Sequence, residues 1–92
     1  MLFCVEMTVK IPLDSDPVKM DEIKRTEKER ATELQKSGKW PHLWRVTGKY
    51  SNISIFDVDS NNELHELLMS LPLFPYMDIK VTALSQHPSS IH

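Results

Sequence analysis

Glu27 stands where the spacing of its neighbours calls for an apolar side chain. Met20, Ile23, Ala31 and Leu34 recur at the intervals of one helical face, and Glu27 fills the gap between Ile23 and Ala31. A carboxylate turned toward a core loses hydration, so its pKa rises toward the range where it can take a proton and return it near neutrality. The competing reading is structural: an ion pair at the helix edge with Lys24 or Arg30, each three residues away.

A second candidate is KWPHLWR, Lys39 to Arg45, which gathers two indoles, an imidazole and a guanidinium into seven residues at the entrance to a strand. Trp40 and Trp44 can wall an apolar pocket, and His42 and Arg45 can hold an anionic group at its rim. The same residues also suit a core or interface with solvated cations. Asn52, in KYSNISIFD, can donate an amide hydrogen bond to a carbonyl oxygen as charge develops on it, or can serve a hairpin turn. No metal site is expected, because the histidines are scattered and Cys4 has no second thiol. With only Gly38 and Gly48 in the chain, a glycine-rich phosphate loop is excluded.

The elements that must position these groups follow from periodicity. Phe3, Val5, Met7, Val9 and Ile11 alternate with Cys4, Glu6, Thr8 and Lys10, which predicts a first strand with one buried face. Asp16 as N-cap and Pro17 at the first helical position open a helix over about Pro17 to Ser37, and Gly38 closes it. Two β-rich runs follow, Leu43 to Lys49 and Asn52 to Val58, and the short Tyr50-Ser51 link makes them a hairpin. SNNE, Ser60 to Glu63, reads as a capping box before Leu64, Leu67, Leu68 and Leu71, a second amphipathic helix that must stop at Pro72. PLFP is then a loop, and YMDIKVTAL a fourth strand. The polar tail SQHPSSIH would dangle unless something held it.

The order βαββαβ is the ferredoxin-like split arrangement, an α+β fold with a four-stranded antiparallel sheet. Two helices cover one face of such a sheet. The other, expected to carry Cys4, Thr8, Ser54 and Phe56, needs water or a partner, so an oligomer is expected.

Ninety-two residues make a single domain spanning 1–92, near the size where one core is sufficient but thin. A composition 40% apolar and 26% charged, with a net charge of -2, gives no electrostatic reason to expect nucleic acid or an anionic membrane. The expected partner is a small molecule or another copy of the chain. A lone cysteine and a start, MLFCVEMTVK, without a basic lead or long apolar run point to the cytoplasm. No apolar run approaches the roughly 20 residues that span a bilayer.

Taken together, MLFCVEMTVKIP, EKERATELQKSGKWPHLWRVTGKYSN, SIFDV, LHELLMSLPLFPYMDI and HPSSI closely resemble the muconolactone isomerase family over nearly the whole chain. HLWR, LPLFPYMDI and HPSSI are far more specific than a shared topology. The resemblance implies a bacterial, cofactor-free enzyme of the catechol branch of the 3-oxoadipate pathway, built as a decamer of ferredoxin-like subunits. Its reaction would shift a double bond in a five-membered lactone, from (S)-muconolactone to 3-oxoadipate enol-lactone.

By the same resemblance Glu27 is the base, Asn52 faces the developing oxyanion, and His42 and Arg45 take the substrate carboxylate. Trp40, Trp44 and Tyr76 wall the pocket, some of them lent by a neighbouring subunit, across which the HPSSI tail lies. The chain departs from the family pattern at Cys4, where a His is familiar, and at Ile53, where a Tyr occurs in some members. Both changes remove a polar group near the sheet, which keeps open a related activity, 5-chloromuconolactone dehalogenation. A third reading, from another class, is a non-catalytic ferredoxin-like binding or assembly module in which Glu27 is only an ion-pair partner.

Overall fold

Strand β1 (Leu2–Val9) lies inside the sheet of the computed structural model, which describes every residue from Met1 to His92. Helix α1 (Pro17–Lys36) follows, then β2 (His42–Arg45), β3 (Ser51–Asp57), helix α2 (Asn61–Met69), a single 3₁₀ turn (Phe74–Tyr76) and β4 (Met77–Leu84). The sheet order is β2-β3-β1-β4, with every neighbouring pair antiparallel. This is the expected βαββαβ ferredoxin-like arrangement.

The helix boundaries have local causes. The Asp16 carboxylate accepts the Val18 N–H, Pro17 opens α1, and Gly38 takes φ +83 just past the Ser37 cap. At α2 the Ser60 hydroxyl accepts the Glu63 N–H, but Glu63 reaches back to the N–H of Asp59 rather than to the cap residue itself. That bond and a Lys39 partner hold the Glu63 carboxyl below the usual carboxylate range.

Two strand expectations need correction. β1 stops at Val9, short of Ile11, although the Lys10 N–H still reaches the Tyr76 carbonyl. β2 ends at Arg45, because the chain turns at Val46–Lys49 and not at Tyr50-Ser51: the Lys49 N–H bonds the Val46 carbonyl, and Gly48 takes φ +81 in the position that a type II turn reserves for glycine.

The face of β3 is also reversed from the expected one. Phe3 pairs with Phe56, Val5 with Ser54 and Met7 with Asn52, so Ser54 and Phe56 lie on the helix-covered face and are fully buried. Ile53 and Ile55 instead join Cys4 and Thr8 on the open face, because strand side chains alternate and a one-residue shift exchanges every side chain. The core therefore sits on one side of the sheet, with Phe3, Val5, Met7 and Phe56 under Leu34, Leu64, Leu68 and Leu71, and Trp40 stacks on Phe56 at 4.7 Å. Each large apolar side chain so buried contributes roughly 1.5–3 kcal/mol. The tail from Ser85 to His92 is exposed throughout, and its side-chain hydrogen bonds stay within itself.

Because an L side chain at φ +81 is strained even in open space, Gly48→Ala should destabilise the fold by about 1–2 kcal/mol in urea unfolding. An unchanged midpoint would mean that the turn does not fix the end of β2.

Candidate active site

The helix-covered face of the sheet does not meet α1 along its whole length. Between them lies a cleft of about 450 Å³, floored by Met7, Val9, Asn52 and Met77, roofed by Lys24, Glu27, Lys28 and Ala31, and bounded by Trp40, Leu43, Arg45, Tyr50, Ser51 and Leu73. The volume suits a small organic molecule. With one carboxylate and neither imidazole nor thiol, the lining is not a metal-binding set.

Glu27 reaches this cleft because the α1 face that buries Met20 and Leu34 also points it at the sheet. Its Oε1 accepts the backbone N–H of Leu73 at 2.8 Å, a partner brought in by the segment between α2 and β4. The expected cationic partners are engaged elsewhere. Arg30 bonds Glu33 at 2.7 Å and the Ser70 hydroxyl at 3.1 Å, and the Lys24 ammonium lies over the Tyr50 ring, 5.9 Å from its centre. Glu27 is thus not the ion-pair partner of the structural reading. Burial raises its pKa above the ordinary value of 4.5, and the Leu73 N–H only partly opposes that rise.

Apart from Glu27, every charged residue of the lining is cationic. Arg45 packs on the other contact of Tyr50, 5.4 Å from the ring centre, and Lys28 follows Glu27 on α1. None of Lys24, Lys28 and Arg45 has an acidic side chain within ion-pair distance. Arg45 pairs with Asn52 across the β2-β3 ladder, and both residues line the cleft. The Asn52 carbonyl oxygen accepts the Ser54 hydroxyl at 2.7 Å.

Of the residues singled out from the sequence, Glu27, Trp40, Arg45 and Asn52 converge on this cleft. His42, Trp44 and Tyr76 do not line it. His42 and Trp44 alternate with Leu43 and Arg45 along β2, so they pair with Ile55 and Ile53 on the opposite face of the sheet, where Trp44 is 64% exposed. Tyr76 ends the 3₁₀ turn, half-buried and away from the lining. Cys4 and Ile53 also sit on that opposite face, so these departures leave the cleft lining untouched. Sequence reasoning missed Lys24 and Lys28 as lining cations, although they lie three residues before and one after Glu27 on the same helix. It missed Tyr50, whose signal was concealed by its assignment to the turn, and Leu73, which contributes a backbone atom.

Comparison with known proteins points one way. The family model described as muconolactone delta-isomerase matches residues 1–90. The chain is 58% identical over 92 residues to the muconolactone delta-isomerase of Pseudomonas putida, covering all of this chain and 96% of that one. It is 60% identical over 91 residues to muconolactone delta-isomerase 1 of Acinetobacter lwoffii, covering 99% and 95%. A crystal structure of muconolactone isomerase superposes with a TM-score of 0.95 at 60% identity, covering 100% of this chain and 96% of that one.

The raised pKa of Glu27 has a consequence for stability. Between 4.5 and its raised value the folded chain binds more protons than the unfolded chain, so this site's contribution to stability falls as pH rises through that window. Glu27→Gln can still accept the Leu73 N–H through its amide oxygen and does not ionise. Its unfolding midpoint should therefore gain on the parent's between pH 4 and pH 7, and thermal melts showing a flat or opposite difference would remove the burial effect.

Proposed function

The chain belongs to the muconolactone delta-isomerase family, and we infer that it is itself an isomerase that converts (S)-muconolactone to 3-oxoadipate enol-lactone. The observation that carries the mechanism is a half-buried carboxylate with no cationic partner, lining a cleft otherwise rich in unpaired cations.

Glu27, ionised, removes the proton from the ring carbon that bears the carboxymethyl arm. The electron pair of that C–H bond enters the ring, and negative charge collects on the carbonyl oxygen as a dienolate. The same carboxyl group then returns the proton to the ring carbon beside the carbonyl, and the double bond is left one position along. Substrate and product have the same formula and no electrons leave the ring, so one base suffices. Because a single side chain serves both steps from one wall, proton departure and arrival occur on the same side of the ring.

Charge decides the other roles. The substrate carries one carboxylate and the dienolate adds a second negative charge, while Glu27 becomes neutral. Arg45 takes the carboxylate, Lys24 and Lys28 make the surroundings positive, and Asn52 donates to the oxygen on which charge develops. Trp40 supplies an apolar wall. Any part that His42, Trp44 and Tyr76 take in binding lies across a contact between chains, since they stand outside this chain's own cleft.

We propose further that the protein works in the cytoplasm in catechol breakdown through 3-oxoadipate, as a homo-oligomer and specifically a decamer. The open sheet face supports association. It carries Leu2, Ile53, Ile55, Leu84 and the exposed Trp44, an apolar surface larger than scattered single residues. No helix is long and apolar enough to cross a membrane.

Glu27→Gln should lower kcat on muconolactone by about 10²–10⁴-fold while the protein stays folded. In the parent the acid limb of kcat/KM should lie above pH 4.5, because the base must be ionised and its pKa is raised. A folded variant as active as the parent would reject the role of Glu27. Light scattering should give the mass of ten 10.7 kDa chains; a monomer would refute the assembly.

A further inference from the structure

Ser54 lies in the middle of β3, two residues after Asn52 and on the same face, and is completely buried. Its hydroxyl has one hydrogen-bond partner, the Asn52 side chain, at 2.7 Å. It does not line the cleft, whereas Asn52 does. Such a contact fills space, but it also resolves an ambiguity that matters for an amide beside a reacting carbonyl.

A carboxamide has two unlike heads. Its nitrogen only donates and its oxygen only accepts. A buried hydroxyl proton needs an acceptor, and among the Asn52 atoms only Oδ1 can be one. If the amide were turned over, Nδ2 could donate to Ser54, but the serine proton would be left without a partner inside the protein. The stable arrangement therefore commits Oδ1 to Ser54 and leaves Nδ2, which has no protein partner, as the head available to the cleft.

We propose that Ser54 is a positioning residue for the isomerisation: it fixes the orientation of the Asn52 amide so that an N–H, and not a carbonyl, meets the oxygen that becomes negative. This rests on the reading of Asn52 as the oxyanion donor. Without Ser54 the amide can turn over and set a carbonyl dipole against the dienolate, an interaction that opposes the intermediate far more than the substrate, whose ring carbonyl is uncharged. The cost thus falls on kcat and spares KM. Arg45, paired with Asn52 on the neighbouring strand, is positioned by its own contacts and continues to bind the substrate carboxylate.

The test is a double-mutant cycle on muconolactone with Asn52→Ala, Ser54→Ala and the combination, each checked by thermal unfolding. Asn52→Ala should lower kcat about a hundredfold. Ser54→Ala should lower kcat about fivefold to tenfold, the value of one neutral hydrogen bond, with KM changed less than about twofold. In the Asn52→Ala background, Ser54→Ala should have no further effect on kcat. If Asn52→Ala is impaired but Ser54→Ala matches the parent, the assignment of Ser54 is overturned and the oxyanion reading stands. If Ser54→Ala lowers kcat equally in both backgrounds, its effect is general packing and the assignment is also overturned. If Asn52→Ala turns over like the parent, the oxyanion reading fails and takes this inference with it.

Discussion

One hydrogen bond, from the Leu73 N–H to Glu27, sets the condition on which the rest of the site depends. The base role proposed for Glu27 requires a carboxylate that is held still and yet remains basic. An arginine partner would hold it but would pull its pKa down, and no partner at all would leave a half-buried oxygen unsatisfied. A single neutral N–H at 2.8 Å steadies one oxygen, opposes the effect of burial only in part, and leaves the second oxygen available. The solvent-facing side of α1 keeps this balance intact, because Arg25 and Arg30 are occupied by Glu22, Glu29 and Glu33.

The same division of labour explains how a chain of net charge -2 can present a positive cleft. Lys24, Lys28 and Arg45 are exposed, so water screens them from Glu27. In the proposed mechanism an anionic ring entering the cleft displaces part of that water and meets the cations at shorter range. Attraction for the substrate and basicity of the acid are thereby kept apart in space, with Tyr50 holding Lys24 and Arg45 at one end.

How much of this was legible in the sequence varied with the physics behind each element. The inward place of Glu27 was readable because Met20, Ile23, Ala31 and Leu34 mark a helical face on both sides of it. The order of strands and helices was readable from periodicity and caps. The register of β3 was not, since SNISIFD sets two isoleucines on one face and Asn52, Ser54 and Phe56 on the other, and it is the less apolar face that is buried. What decides it is the pairing with β1, which sets Ser54 and Phe56 opposite Val5 and Phe3. That shift sends Trp44 and His42 to the far face while leaving Arg45 in the cleft. The Leu73 contact was invisible for another reason: it uses a main-chain atom, and no residue type announces it.

The partners in that contact are 46 residues apart in the chain. Leu73 is held by the core and by the turn that leads into β4, so its N–H cannot take its place until the last third of the polypeptide has collapsed onto α1. Closing so long a loop costs more chain entropy than forming the local helices and hairpin. A nascent chain therefore carries an ordinary solvated glutamate for most of its synthesis, and the buried carboxyl with its Leu73 partner exists only once the segment after α2 is in place.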